Sequence, residues 1–449
     1  MKRKIKRKRS LILCQKKDNS QSLVKFSKSS WGVIIYCAAM FWFYVGMVND
    51  GSNIVAPAFA AKSGLEYSTV LSMGTVAGLV GFIFFIIFGK INQKIGSRYT
   101  SAICMIIAGL SYIGVGLSNS LVLYTVCLCL VTGSSMSGGY IAGGTLVAKW
   151  FPKKKGIVMG YTTMGHNLAS AFYVPLISTT VGAWGLAQGV MIPAIGVMIL
   201  GGIGAVFIRN DPRDKGQYPD DVNKRQYEEE YFTGDSDADG GWTTAKLLKT
   251  KELWLAAGTT GIYQLVTVGI MTQLVVRNMS FGFTQAQAVS IMTVLACIGV
   301  AGSWGFGVID QKWGTKKSMI IFGVWYSVAL ACNVTEFMPL VYVSIFMIGM
   351  AIGGSANFTT SLPAAIFGRH GFEKVNSVIF PIQGLITAMN FALSGASIAL
   401  TGSLRGVYIV NIVLILVNIA LISRVDEHKY NKDFHTEEIK SGEVLENVN

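Results

Sequence analysis

GKINQKIGSRYT, residues 89–100, closes one long apolar run, and GVIDQKWGTKKS, residues 307–318, closes another 218 residues later. Sliding the chain on itself by 218 aligns residues 64–98 with 282–316 without a gap, placing Gly64 on Gly282, Ser72 on Ser290, Thr75 on Thr293, Gly81 on Gly299 and Phe88 on Phe306. Inside the two stretches Gly89, Asn92, Gln93, Lys94, Gly96, Ser97 and Arg98 fall on Gly307, Asp310, Gln311, Lys312, Gly314, Thr315 and Lys316. Hydrophobic bias alone does not produce such agreement among polar residues. The chain reads as two copies of one unit.

Composition fixes the solvent of that unit. With 51% hydrophobic and 14% charged residues and a mean hydropathy of +0.49, too little polar surface remains to solvate a globule of 449 residues, so the solvent is largely lipid. Apolar runs of about 20 residues, each long enough to cross roughly 30 Å of hydrocarbon, recur at 31–58, 68–88, 100–117, 121–148, 157–178, 187–208, 253–277, 287–309, 318–334, 338–365, 375–396 and 403–423. The expected fold is an all-α membrane protein of twelve transmembrane helices. Basic residues test the count, because they concentrate in cytoplasmic connections. Of the 38 Lys and Arg, all but Lys62, Arg277 and Arg405 fall in the N-terminal arm, the even-numbered connections or the tail. Both termini are therefore expected in the cytoplasm, in a multi-pass protein of the cell's inner membrane. The net charge of +14 is topological and calls for no nucleic acid.

An offset spanning six helices starts the second half in the orientation of the first. The two six-helix repeats are then parallel, related by an axis along the membrane normal, and can rock about a site near the midplane. The divisions follow: a basic arm over 1–30, a bundle over 31–208, a charged, glycine-bearing cytoplasmic linker over 209–252, a second bundle over 253–423 and a disordered tail over 424–449. The arm, opening MKRKIKRKRS, has an RNA-binding or nuclear-signal reading. A basic cluster just ahead of a first transmembrane helix instead sets orientation and touches anionic headgroups, so membrane lipid is its expected partner. It is not expected to be a cleaved leader, since the following apolar run is too long and ends in NDGSN without a small-residue cleavage site. The seven Cys residues (14, 37, 104, 127, 129, 297 and 332) lack metal-like spacing and, Cys14 aside, lie in apolar runs, so they read as small packing residues. Catalytic strings such as HExxH, GxSxG or GxxxxGK[ST] do not occur. Neither an enzyme nor a cofactor is expected.

At the two repeated loops the chain resembles the major facilitator superfamily, whose signature there is a Gly, an acid three positions on, then Gly and basic residues. The resemblance covers essentially all twelve helices and implies a secondary transporter, most simply a monomer. Gly89, Asn92 and Arg98 in the first loop, and Gly307, Asp310 and Lys316 in the second, match the conformational loop of the family; Asn92 stands where the acid is usual. Within the superfamily, KWFPKKKGIVMG (149–160) and NDPRDKGQYPD (210–220) look like the oxalate/formate antiporter and monocarboxylate transporter branch. The glycine-proline motif that proton-driven drug exporters carry in helix 5 is missing from GYTTMGHNLASAFYVPL (160–176). Oxalate carriers of this branch hold a dianion with cationic side chains in helices 8 and 11, and those helices here contain no Lys or Arg. The expected solute is therefore a small monocarboxylate-like organic anion, moved with a proton or against a counter-solute. The rival readings are a solute-binding membrane sensor on the same scaffold and a facilitator for a bile acid, sugar or amino acid.

Charged and polar groups at membrane depth cost free energy, about 2.5–3.5 kcal/mol for a charge on insertion scales, and so mark candidate sites. With the fifth helix starting near Gly156 and rising ~1.5 Å per residue, His166 lies mid-core. There it either meets the carboxylate and the coupled proton, its unperturbed pKa lying near 6.5, or bridges neighbouring helices as a neutral imidazole. Asp50 and Asn53, three apart on the first helix, share one face and form either a cavity stripe or a water-facing helix end. Arg277, at the outer end of the seventh helix, attracts the anion or snorkels to headgroups. Tyr140, Tyr263, Gln264, Asn357, Gln383 and Asn390 enter the candidate list through the resemblance, because their helices flank the central cavity in this superfamily. Gly139/Gly143 and Gly349/Gly353, in SSMSGGYIAGGT and GMAIGGSANFTT, have the small-xxx-small spacing of close helix contacts.

Overall fold

The computed structural model describes residues 26–231, 242–368 and 372–431, and all regular structure in them is helical. In a bilayer only a helix or a closed barrel satisfies every backbone N–H and C=O, and these long apolar runs take the helix. The first bundle contains α1 (Lys28–Tyr44), α2 (Ser52–Ser63), α3 (Tyr67–Leu117), α4 (Leu121–Ser137), α5 (Gly144–Trp150), α6 (Lys155–Leu168), α7 (Val174–Gly189) and α8 (Met191–Phe207). The second contains α9 (Lys251–Met271), α10 (Leu274–Ser280), α11 (Gln285–Trp313), α12 (Thr315–Val334), α13 (Met338–Phe367), α14 (Phe372–Thr401) and α15 (Arg405–Ser423). Nine helices among the described residues are long and apolar enough to cross a bilayer, ten if the bent pair Ile157–Gly189 and Met191–Phe207 is counted as one span. Large apolar side chains such as Trp304 and Leu400, 75% and 85% exposed, face outward from the bundles, as a lipid-bathed surface requires.

The 51 residues of α3, straight, would extend roughly 76 Å, more than twice the hydrocarbon thickness. Gly96 breaks them at φ 80°, ψ 165°, and Gly314, between α11 and α12, stands at φ 84°, ψ 158°. Only glycine takes this backbone without strain. The turns therefore sit at Gly96 and Gly314, and Gly89 and Gly307, the first glycines of the loop signature, lie inside helices.

The basic side chains of the two loops tie them down. Arg98 donates its backbone N–H to Asn210 Oδ1 (2.8 Å) and its Nε to Ala205 O (2.7 Å). Thr315 and Lys316 donate their N–H groups to the Glu427 carboxylate at 3.2 and 3.0 Å, and Lys316 Nζ donates to Val425 O at 2.8 Å. Asn92 donates to Thr145 Oγ1 (3.1 Å), whereas Asp310 accepts from Thr315 Oγ1 (2.6 Å).

The described residues of the linker and of the start of the tail hold local structure. Pro212–Lys215 and Pro219–Asp221 form short 3₁₀ turns. Asp220 accepts from the N–H groups of Lys153 and Lys154, both at 2.9 Å, and Asp221 accepts from Ser27 N–H at 2.8 Å. These acids satisfy backbone donors at helix starts that apolar neighbours leave orphaned. Outside the spans, hydrogen bonds from Arg213 hold the Asp211 carboxyl below the usual carboxylate range. On the second bundle, Lys429 Nζ donates to Glu252 (2.5 Å) and Tyr430 N–H to Ile366 O (3.0 Å). The basic arm through residue 25 and the tail from residue 432 lie outside the described residues.

Close crossings use the glycines in GMAIGGSANFTT. A methyl added at Gly353 would overlap the Gly299 carbonyl oxygen, and one at Gly302 the Met350 carbonyl oxygen. A backbone carbonyl cannot rotate aside, so α11 and α13 must separate. Gly353→Ala is expected to cost about 3 kcal/mol, the upper end for overpacking, and to lower the melting temperature in detergent. Gly160→Ala, where nothing lies within 4 Å, is the control; equal melting of the two variants would refute the close crossing.

Candidate functional site

Three widened helical turns with i→i+5 hydrogen bonding occur among the described residues, all in the first bundle: Val45–Asp50 after α1, Gly138–Gly143 after α4 and Ala169–Tyr173 after α6. Such turns misdirect backbone groups and side chains relative to a regular helix, and they concentrate at functional sites. Here the three converge. Asp50, in the first, accepts a hydrogen bond from Ser170 Oγ, in the third, at 2.5 Å. Tyr140, in the second, packs its ring on Phe41 (5.0 Å) and Tyr44 (5.8 Å) of α1.

Glycine lets these helices meet. A methyl at Gly165 would overlap the Ala38 carbonyl oxygen, and one at Gly46 the Tyr173 ring; at Gly139 it would press on Phe41 at 3.2 Å. The Gly139/Gly143 pair thus serves the α1–α4 contact, and Gly143 O accepts from Cys37 Sγ at 3.8 Å.

His166 sits at the centre of this junction. Its ring lies 4.7 Å from Phe41, 6.3 Å from Tyr140 and 6.4 Å from Tyr44. Phe85 and, from α14 of the second bundle, Phe380 complete the cluster around Tyr140 at 6.2 and 6.3 Å. Tyr44, Phe85, Tyr140, His166 and Phe380 are only partly buried, so the cluster keeps accessible surface between the two bundles, the candidate recess. His166 Nε2 is buried without a hydrogen-bond partner. Asp50 is 3% exposed, and among the described residues no cation pairs with it. The cluster therefore offers π faces and one imidazole, with the Asp50 carboxyl held at Ser170, four residues along the chain from His166. No cluster of His, Cys, Asp and Glu capable of holding a metal occurs among the described residues.

A second polar cluster joins the two bundles at the end away from the linker. Asn53 donates to Met271 O (2.7 Å) and to Asp50 O (2.9 Å), and its Oδ1 accepts from Val275 N–H (2.9 Å). It thereby bridges the break between α9 and α10. Ser52 Oγ donates to Thr272 O at 3.2 Å and Tyr67 OH to Gln273 Oε1 at 2.8 Å. Thr75 donates to Ala388 O and accepts from Ala392 N–H, both at 2.8 Å, while Thr293, its match at the 218-residue offset, donates to Ala171 O at 3.3 Å.

Of the candidates read from sequence, the structure brings His166 and Tyr140 together, while Asp50 is bonded to Ser170, four residues after His166. Asn53 belongs to the bridge between bundles and does not line the recess. Tyr263 is fully buried inside the second bundle, donating to Met319 O (2.7 Å) and packed on Phe322; it does not face the recess. Its neighbour Gln264 is half-buried. Asn357 exchanges hydrogen bonds with Ser303 (2.7 and 3.0 Å), Gln383 donates to Thr260 (2.5 Å), and Asn390 donates to Thr387 O (2.6 Å) while accepting from Thr272 (3.4 Å). These three tie helices of the second bundle to each other. Arg277 is neither at an open mouth nor snorkelling: it is 1% exposed and bonded to Asn333 and Glu336. Sequence reasoning missed Ser170, Phe41, Tyr44, Phe85 and Phe380. Ser170, four residues after His166 and so on its face of a helix, was findable.

The model of the Major Facilitator Superfamily matches residues 37–389. The chain belongs to that superfamily. Among relatives of this superfamily, an oxalate:formate antiporter from Oxalobacter formigenes is 24% identical over 336 residues, covering 72% of each chain. The superfamily fold is seen in a D-xylose-proton symporter, which superposes with a TM-score of 0.69 at 12% identity over 90% of this chain and 99% of that one. It is seen again in a bacterial homologue of the lysosomal transporter Spinster, inward-facing and occupied, with a TM-score of 0.66 at 13% identity over 90% and 98%. This superfamily member is a multi-span membrane transporter of a small-molecule solute, not an enzyme.

Proposed function

We propose that this transporter moves a small monocarboxylate-like organic anion together with a proton, by exposing the recess around His166 alternately to the two sides of the membrane. The observation that carries the reading is a buried, unpartnered His166 Nε2 on the helix whose Ser170 binds the Asp50 carboxyl, with no cation paired to Asp50 among the described residues. A dianion would meet nothing there to balance its second charge, whereas a monoanion plus one proton is neutral overall. The relationship to an oxalate:formate antiporter supports a carboxylate substrate, and exchange against a counter-solute is the second transport mode open to the same site. Twelve crossings follow if the breaks at Gly96 and Gly185 each separate two spans. Charge distribution then puts both termini in the cytoplasm, and the bridge around Asn53 closes the outer side.

Proteoliposomes test this. Labelled formate, acetate, lactate or pyruvate should accumulate when the interior is made alkaline, and Asp50→Asn should abolish accumulation while leaving solute-for-solute exchange intact. Failure of all monocarboxylates, or rapid exchange of oxalate, would overturn the reading.

A further inference from the structure

We propose that Thr75 is a positioning residue of the outer closure and works by exchange: when the bundles meet there its hydroxyl takes over one rung of the α14 backbone ladder, and when they part it gives the rung back. The inference rests on the alternating exposure proposed above, and on neither the solute nor the proton. In a regular helix Ala392 N–H would donate to Ala388 O, four residues earlier. Both of those groups are bonded here to Thr75 of α3, whose Oγ1 donates to Ala388 O and accepts from Ala392 N–H, each at 2.8 Å. Thr75 is buried, so the rung is shielded from water. A side chain inserted into a helical ladder bends the helix, and α14 also carries Phe380 to the Tyr140 ring. Regaining the rung therefore re-aims that segment.

Hydroxyls on a helix commonly bond the carbonyl one turn back on their own chain. Ser72 donates to Ser68 O (2.8 Å), Thr145 to Ile141 O (2.7 Å) and Ser290 to Ala286 O (2.8 Å) in this way. Thr75 reaches across because α14 comes so close. A methyl added at Gly78 would overlap Ala388 Cβ, one at Gly74 the Phe391 ring, and one at Gly395 both Ser72 Oγ and Ser68 O. When α14 withdraws, Ala392 N–H returns to Ala388 O and the Thr75 hydroxyl turns to Leu71 O, one turn back along α3. Each group then has a partner in both states. The exchange strands no buried donor or acceptor, so this seam opens and closes at little cost.

The repeat supplies the comparison. Thr293, 218 residues on, donates to Ala171 O at 3.3 Å, a single and longer bond. Met292 and Ala296 stand where α3 has Gly74 and Gly78, so side chains occupy the space that the two glycines leave for α14. The helix facing Thr293 is already widened at Ala169–Tyr173, where Val174 N–H donates to Ala169 O, and it has no regular rung there to exchange. Of the two matched threonines, Thr75 is the one that spans both ends of a rung.

The test labels full-length protein in proteoliposomes from outside with an impermeant maleimide, through a cysteine at the buried position 55 (Val55→Cys). Thr75→Val puts a methyl where the hydroxyl stands, and carbon does not pack at 2.8 Å from an amide nitrogen and a carbonyl oxygen. The closed state is penalised, and labelling should rise about ten-fold. Thr75→Ala removes the wedge, lets α14 keep its own rung in both states, and should label within about two-fold of the parent. Thr75→Ser retains the hydroxyl and should also label as the parent does. Thr75→Ala labelling as fast as Thr75→Val would reduce Thr75 to a simple bond across the seam and overturn the exchange. Should Thr75→Val fail to fold, Thr75→Ala decides alone: parental labelling supports the exchange, and a rise of about ten-fold overturns it. Labelling raised by Asn53→Ala but not by Thr75→Val would overturn this inference and leave alternating exposure standing. Labelling raised by neither would overturn both.

Discussion

Asn53→Ala is expected to open the end of the transporter away from the linker. The side chain makes three hydrogen bonds, to Met271 O, Asp50 O and Val275 N–H, and it is 2% exposed. Removing it leaves a carbonyl and an N–H on either side of the α9–α10 break buried and unpaired, at a cost of about 1–3 kcal/mol each. That cost falls only on the state in which the two bundles meet there, so the equilibrium moves toward the other state. With about 3 kcal/mol lost, the ratio of states shifts roughly a hundred-fold, and a transporter held on one side turns over slowly. A cysteine introduced at position 55 (Val55→Cys), buried in this structure, reports the change. A membrane-impermeant maleimide added from outside should label it only in the Asn53→Ala background. Equal, slow labelling in both backgrounds would show that Asn53 merely caps its own helix.

The fold was legible because its punctuation is polar. Two loops rich in Gly, Lys and Arg repeat at a fixed spacing, and the backbone turns at Gly96 and Gly314 within them, because no other residue takes that conformation cheaply. The candidate site was legible where a titratable group stands alone in an apolar run, as His166 and Asp50 do, while Tyr140 entered only through the resemblance. Adjacent helical positions differ by about 100°, so Tyr263 and Gln264 could not both face one recess, and only the packing reveals which way Tyr263 turns. Arg277 finds Asn333 and Glu336 more than fifty residues on, a pairing no local pattern announces. The widened turns at Val45–Asp50, Gly138–Gly143 and Ala169–Tyr173 have no sequence signature, since they arise where helices are pressed together through glycine. Phe41, Tyr44 and Phe380 are invisible for the opposite reason: aromatic residues in a membrane helix are background. Composition cannot foresee that Asp220 and Asp221 of the charged linker reach the N–H groups of Lys153, Lys154 and Ser27.

His166→Phe separates a binding residue from a packing residue by the sign of two effects. The imidazole is already surrounded by rings, with Phe41 at 4.7 Å edge to face, so a phenyl ring of similar shape fits the same contacts. Nε2 is buried and unpartnered, and replacing an unsatisfied polar atom by carbon removes a desolvation cost of about 1–3 kcal/mol. The variant should therefore melt no lower than the parent, and a higher melting temperature is the expected outcome. Uptake should move the other way. If Nε2 meets the carboxylate of the solute, losing that charge-assisted hydrogen bond costs about 1.5–3 kcal/mol, a ten- to hundred-fold fall in apparent affinity. Tyr140→Phe, which keeps the ring beside His166, tests whether the phenol shares the task. A stable His166→Phe protein that still accumulates monocarboxylate at the parental rate would reduce the histidine to one more ring in an aromatic cluster, and the solute contact would have to be sought at Asp50 and Ser170.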